Sequence, residues 1–183
     1  MPAKLELNKK QIVKTAVKMI NENGLSNLNA RSLAKNLGVS TKPLYRVYTS
    51  MEEIKKDTYE EIYRQYDEYL KSRVDSKKAL LTLCIAYVEF AREYPNLFIT
   101  LFLSNNLNWQ SIDNVLDEKW NQGTIINLVN KHGYTFDDAK KIFMNMWLYA
   151  TGLATLLATN DLKLDEEKIL VKLVVMYKIL VKL

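Results

Sequence analysis

Thr41, Lys42, Tyr45 and Arg46 place two hydroxyls, an ammonium and a guanidinium within six residues. Donors of this kind match the acceptors that base edges present in a DNA major groove. That chemistry is contact rather than catalysis. The surrounding stretch, LNARSLAKNLGVSTKPLYRVYTSMEEI from Leu28 to Ile54, reads as two short helices joined by a tight turn at Gly38 and followed by the capped start of a longer helix. A short helix just after such a turn is the element that enters a groove. Thr41, Lys42 and Arg46 are candidates for base edges, and Arg31 for a base or a phosphate. Lys9 and Lys10 are placed for phosphates, which position a protein without reading sequence. Tyr45 either donates its hydroxyl to a phosphate or packs its ring on the first helix. Asn29, Ser40, Pro43 and Tyr48 complete the candidate DNA-binding set.

Three elements must hold this surface outward. Ile12, Val13, Ala16, Val17 and Ile20 repeat at helical spacing, and Gly24 ends that first helix. Asn29 suits the N-cap of a second helix from Ala30 to Leu37. Ser40 suits the cap of a third, Thr41 to Val47, with Pro43 tolerated in its first turn. Ile12, Ala16, Ile20, Leu28, Leu33, Ala34, Leu37, Val39, Leu44 and Tyr48 supply a small core. Ser50-x-x-Glu53 is a capping box that opens a fourth helix, to Arg73.

The charge follows the same division. Residues 1–56 hold 11 Lys/Arg against 4 Asp/Glu, and residues 57–183 hold 15 against 17, within a chain of net charge +5. A basic head on a near-neutral body is the footprint of a polyanion-binding module joined to a second part. We therefore expect a helix-turn-helix DNA-binding domain at 1–50 and a helical regulatory and dimerisation domain at 51–183. With 48% apolar residues, five Gly and three Pro, the 183-residue chain has material for a sizeable core. The expected fold is all-α, of about nine helices, because no run alternates with period two. Beyond the fourth helix they run from Asp75 or Ser76 to before Pro95, then Asn96–Leu103, Asn114–Lys131, Thr135–Thr159, and Asp165 to the end.

Several classes are excluded. There is no Gly-rich phosphate loop, and one His and one Cys cannot build a metal cluster or a nucleophilic triad, so no enzyme, cofactor or metal is expected. The unpaired Cys84, read as a buried structural thiol, and the lack of an apolar N-terminal stretch fit a cytoplasmic protein. No run of 18 apolar residues suggests a membrane span.

In the body, Tyr66, Tyr87, Trp109, Trp120 and Trp147 either pack the core or line a pocket. No charged residue is assigned to that pocket, so its effector is expected to be a small aromatic, apolar or cationic molecule. Ile142, Met146, Ala150, Leu153, Ala154 and Leu157 form one apolar or small-residue stripe, and Leu173, Tyr177 and Leu180 belong to another. These two helices from each of two copies suit a four-helix homodimer contact.

Residues 9 to 54 resemble the N-terminal domain of the tetracycline-repressor (TetR) family of bacterial regulators. The matching residues are Ile12 and Ala16, Gly24-Leu25, Arg31-x-Leu33-Ala34, Leu37-Gly38-Val39-Ser40, Leu44-Tyr45 and Tyr48-x-Ser50-x-Glu52-Glu53. Residues 86–102 and 147–156 are similar to the regulatory domain of one branch, whose Trp-His-Gly signature has Thr151 here in place of His. The family also has a Lys where this chain has Met51, with Lys55 and Lys56 as the nearest replacements. The resemblance implies a ligand-responsive repressor that binds a palindromic double-stranded operator as a homodimer. The competing readings are a DNA-binding adaptor whose body docks a protein partner, and a non-specific DNA-packaging protein.

Overall fold

The computed structural model describes residues 7–104, 111–160, 162 and 164–181, and among these there is no strand. The helices are α1 (Lys9–Asn23), α2 (Ala30–Asn36), α3 (Leu44–Val47), α4 (Met51–Lys71), α5 (Ala79–Glu93), α6 (Pro95–Phe98), α7 (Lys119–His132), α8 (Phe136–Thr159) and α9 (Glu166–Val181).

Local chemistry sets most of the boundaries. Asn8 and Gln11 form a reciprocal capping box at the start of α1, and Asn29 and Ser32 form another at α2. At α4, Ser50 accepts from the Glu53 amide, but the Glu53 carboxylate reaches back past Ser50 to the Thr49 amide and hydroxyl at 2.8 and 3.0 Å. Asp75 caps a 3₁₀ turn at Ser76–Lys78 that leads into α5. A π-helical turn, Ile99–Leu103, continues α6.

Two expected helices differ. The third begins at Leu44 rather than Thr41, and Ser40 caps nothing. Residues 41–43 form a turn closed by the Leu44 amide on the Thr41 carbonyl at 3.1 Å. The seventh is not continuous from Asn114. A 3₁₀ stretch, Ile112–Asp117, gives way to Glu118 in extended conformation (φ −64°, ψ 137°), and α7 starts at Lys119.

α1, α2 and α3 bury Ile12, Ala16, Ile20, Leu33, Ala34 and Leu44 against one another, and Leu37 and Val39 are half-buried. α4 carries Ile54, Thr58, Ile62, Tyr66 and Leu70 on its inward face, so one helix runs from the head into the body. α5 packs between α8, α9 and α4, and α7 covers α8. By length and composition α8 could cross a membrane, with a mean hydropathy of 1.3. In this fold, however, Ala139, Phe143, Met146, Ala150, Leu153, Ala154 and Leu157 face the core of the body.

Candidate functional site

The head presents its donors from a rigid turn. Gly38 lies in the left-handed region (φ 69°), which a side chain would disfavour, and the Val39 amide bonds back to the Ala34 carbonyl at 3.0 Å. This closes the chain so that Leu44 points fully inward. Lys42, Tyr45 and Arg46 are then exposed, Ser40 is exposed, and Thr41 and Pro43 are half-buried. Arg31 and Lys10 are also exposed. Among the described residues, Lys10, Arg31, Lys42 and Arg46 have no carboxylate within ion-pair distance, so their charges face solvent.

Three members of the expected DNA set do other work. Tyr48 is 2% exposed and donates its hydroxyl to Asp57 at 2.8 Å. Burial first, and the Asp57 carboxylate second, hold its phenol well above the ordinary tyrosine value. It is a strut between α3 and α4, and it leaves the candidate set because its one polar atom is committed inside. Lys9 lies 3.5 Å from both Glu53 and Asp57 and 4.6 Å from the centroid of the Tyr48 ring. Its charge is compensated at close range, whereas Lys10 makes no contact ion pair among the described residues. Asn29 spends its carbonyl oxygen on the Ser32 amide at 3.0 Å, which makes it a cap. Met51 is half-buried against the core.

α4 leads from this latch to a cavity of about 510 Å³ in the body, within the range of sites for drug-sized ligands. Tyr59, Glu60, Tyr63, Tyr66 and Leu70 of α4 form one wall. Leu83, Cys84 and Tyr87 of α5, Phe102, and Phe143, Trp147 and Ala150 of α8 form others. Val115, Glu118, Trp120 and Asn121 close it from the broken seventh helix. Edge-to-face ring pairs stiffen the lining. Tyr66 and Tyr87 each stand 5.1 Å from Phe102, and Tyr66 stands 5.0 Å from Phe90. The Trp120 indole donates to Asp67 at 2.8 Å, and the Tyr63 hydroxyl donates to Glu118 at 2.8 Å. Cys84 is 3% exposed, and burial pushes its thiol up to about 12.

Tyr66, Tyr87, Trp120 and Trp147 thus come together around one space, while Trp109 lies outside the described residues. Sequence reasoning left charged residues out of this pocket, and that reading is corrected by Glu60 and Glu118. Glu118 is placed there by the extended backbone at the helix break. Asp117-Glu118-Lys119 has nothing in its residue types to announce that break. The Tyr59, Tyr63, Tyr66 and Leu70 register on α4 was the readable signal.

The dimer stripe named from sequence turns inward. Met146, Ala150, Ala154 and Leu173 are completely buried within the subunit, Leu153 and Leu157 nearly so, and Ile142, Tyr177 and Leu180 are half-buried against the same core. The outer faces of α8 and α9 carry the exposed residues instead: Leu148, Leu156, Leu170, Val171, Val175 and Ile179, each at least 44% exposed. Both faces of these helices are apolar, so periodicity alone chose the one that packs inside.

No protein-family model matches the chain, and no curated protein does. Solved structures do. A TetR transcriptional regulator from Rhodococcus sp. RHA1 aligns over 93% of each chain with a TM-score of 0.52 at 14% identity. The multidrug binding protein EbrR, complexed with imidazole, aligns over 92% of this chain and 88% of its own with a TM-score of 0.56 at 14% identity. The fold is that of the TetR regulators. At this identity the likeness concerns the path of the chain, and it does not single out the Trp-His-Gly branch. The TetR-like fold accounts for the order of elements seen here, a three-helix head followed by a longer helical body.

Proposed function

We propose that this protein is a DNA-binding transcriptional regulator that works as a homodimer and answers to a small molecule held in the cavity of its body. The observation that carries the reading is α4. A single helix bears Glu53 and Asp57, which hold Lys9 and Tyr48 of the head, and three turns later bears Tyr66, which lines the cavity. We assign the DNA surface to Lys10, Arg31, Lys42, Tyr45 and Arg46, which are exposed, together with the half-buried Thr41 beside them. Ser40 and Pro43 shape the turn that carries them. The functional division falls near residue 50, with 51–183 as the regulatory and dimerisation part.

Pairing through the outer faces of α8 and α9 would present two heads to one near-palindromic site. Successive major grooves on one face of the duplex lie about 34–36 Å apart. A ligand changes DNA affinity only through its differential affinity for the conformations that fit and misfit that spacing. A full switch needs about 5.5 kcal/mol of difference. That EbrR, a multidrug binding protein, was solved in complex with imidazole supports reading this fold as one that takes small molecules. Selection from a random pool of duplex DNA tests the proposal. We expect enrichment of a two-fold symmetric sequence, bound with a salt slope near −0.9 per phosphate neutralised. A pool that stays random after repeated rounds would refute it.

A further inference from the structure

We infer that Asn96, on α6 of the body, is a positioning residue for DNA binding: its side-chain amide holds the far end of α1 and so fixes the angle at which the head meets the duplex. The inference rests on the proposed DNA-binding dimer, and it names a residue that sets the geometry of that dimer.

α1 packs on two elements of the body, α4 and α6. At its first turn, Lys9 lies 3.5 Å from both Glu53 and Asp57 of α4. At its last turn, the main-chain carbonyl of Asn21 accepts from the Asn96 side chain at 2.9 Å, across 75 residues of sequence. Carbonyls in the last turn of a helix have no amide partner within it. A carbonyl can only accept, so the Asn96 group that faces it is the NH₂. Gly24 (φ 78°) turns the chain out of α1 at the same place, and a β-carbon on it would lie 3.6 Å from Asn96 Oδ1.

Asn96 is itself tied into the body. Its neighbours on α6, Leu97 and Phe98, are buried, and its main-chain carbonyl accepts from the Thr100 hydroxyl at 2.7 Å. α6 has no side-chain cap, so the Asn96 amide serves the neighbouring helix rather than its own.

Two attachments do what one cannot. From Lys9 to Asn21 α1 is about 18 Å long. Held at one end, it can swing about that end, and the Lys9 pairs are exposed and weakly constraining. Held at both, it has one direction. Leu33 of α2 and Leu44 of α3 are buried in the same core as Ile12 and Ile20 of α1, so Lys42 and Arg46 turn with it. A shift of 1 Å at the Asn21 end tilts α1 by about 3°. In a dimer the two heads must match grooves about 34–36 Å apart, which makes this angle matter. One hydrogen bond weighs little beside the whole fold, so its loss should be felt in geometry before folding.

The test uses the full chain in gel-shift titrations. The probes are the duplex enriched from a random pool, the same duplex with its centre lengthened or shortened by one base pair, and a duplex with a single half-site. The unaltered protein should prefer the parent spacing by at least about tenfold, since one base pair moves the half-sites by about 3.4 Å. Asn96→Asp keeps the shape but cannot donate. It should cut that preference to about threefold or less and leave the single half-site within about twofold. Asn21→Ala should behave as the unaltered protein, because the acceptor is main chain. Asn96→Ala replaces Asn96→Asp should a melting curve show the latter misfolded. An unchanged spacing preference in both Asn96 variants overturns the assignment. So does an equal loss on the single half-site, or an Asn21→Ala variant as loose as Asn96→Asp. A pool that yields no enriched duplex overturns the DNA-binding reading itself, and the role of Asn96 with it.

Discussion

The head and the body are packed to opposite ends. In the head, Leu33, Leu44 and Ile12 are completely buried between α1, α2 and α3, and Arg31, Lys42 and Arg46 stand outside with no contact ion pair among the described residues. In the body, aromatic side chains from α4, α5 and α8 stop short of meeting and leave a cavity of about 510 Å³. One region carries its unpaired charge on the surface, and the other encloses its open space in the interior. Recognition of a long polyanion needs a convex, stiff, cationic relief. Recognition of a small molecule needs a concave space that water leaves readily.

The contrast can be broken at several points. The largest effect is expected where neither region is self-sufficient. Val175→Glu together with Ile179→Glu, on the exposed face of α9, should convert dimers to single subunits in sedimentation experiments, with the fold retained. Persistence of the dimer would move the interface elsewhere. Next comes the filled core of the head. Leu44→Ala should cost about 2–5 kcal/mol of unfolding free energy in a denaturant titration, and DNA binding with it. Arg46→Ala should lower operator affinity by about 1–3 kcal/mol in a gel-shift assay while the melting curve stays put. A shifted melting curve would show that Arg46 serves packing instead. Ala150→Leu should do the reverse of Leu44→Ala. Because Ala150 borders empty space, the added atoms should gain about 0.5–2 kcal/mol of stability and exclude ligand.

The smallest effect concerns Cys84. Its folded pKa is raised to about 12 from an ordinary 9.0, so the neutral thiol contributes stability that is fully present below pH 9.0 and is lost as pH rises through about 12. Alkylation by iodoacetamide at pH 8 should therefore be much slower in the native protein than in urea.

The same contrast explains what could be read from the sequence. The head is set by short-range chemistry. Asn29 with Ser32, Gly38, and Ser50 with Glu53 each act over a few residues, and each is visible as a residue type at a spacing. The start of α3 was misplaced by one turn because Ser40 and Pro43 both permit a helix there, while the chain uses them in the turn before it. Tyr48 reads from sequence both as core and as a DNA contact; its burial agrees with the first, and no local signal announces Asp57, nine residues away, as the partner of its hydroxyl. In the body the deciding contacts are tertiary. Nothing in Asp117-Glu118-Lys119 shows that a helix will break, yet that break sends Glu118 to the cavity. α8 is apolar on both sides, so the pattern that identified the helix could not say which side packs inside the subunit.

One consequence follows from the crowding of duties on α4. Asp57, which grips the head, and Glu60, which borders the cavity, are separated by a single helical turn. Any twist of that turn is felt at both ends without a relay of intermediate side chains. On the proposed function, effector choice and unliganded operator affinity share one short segment of backbone, so a change that retunes either is expected to retune the other.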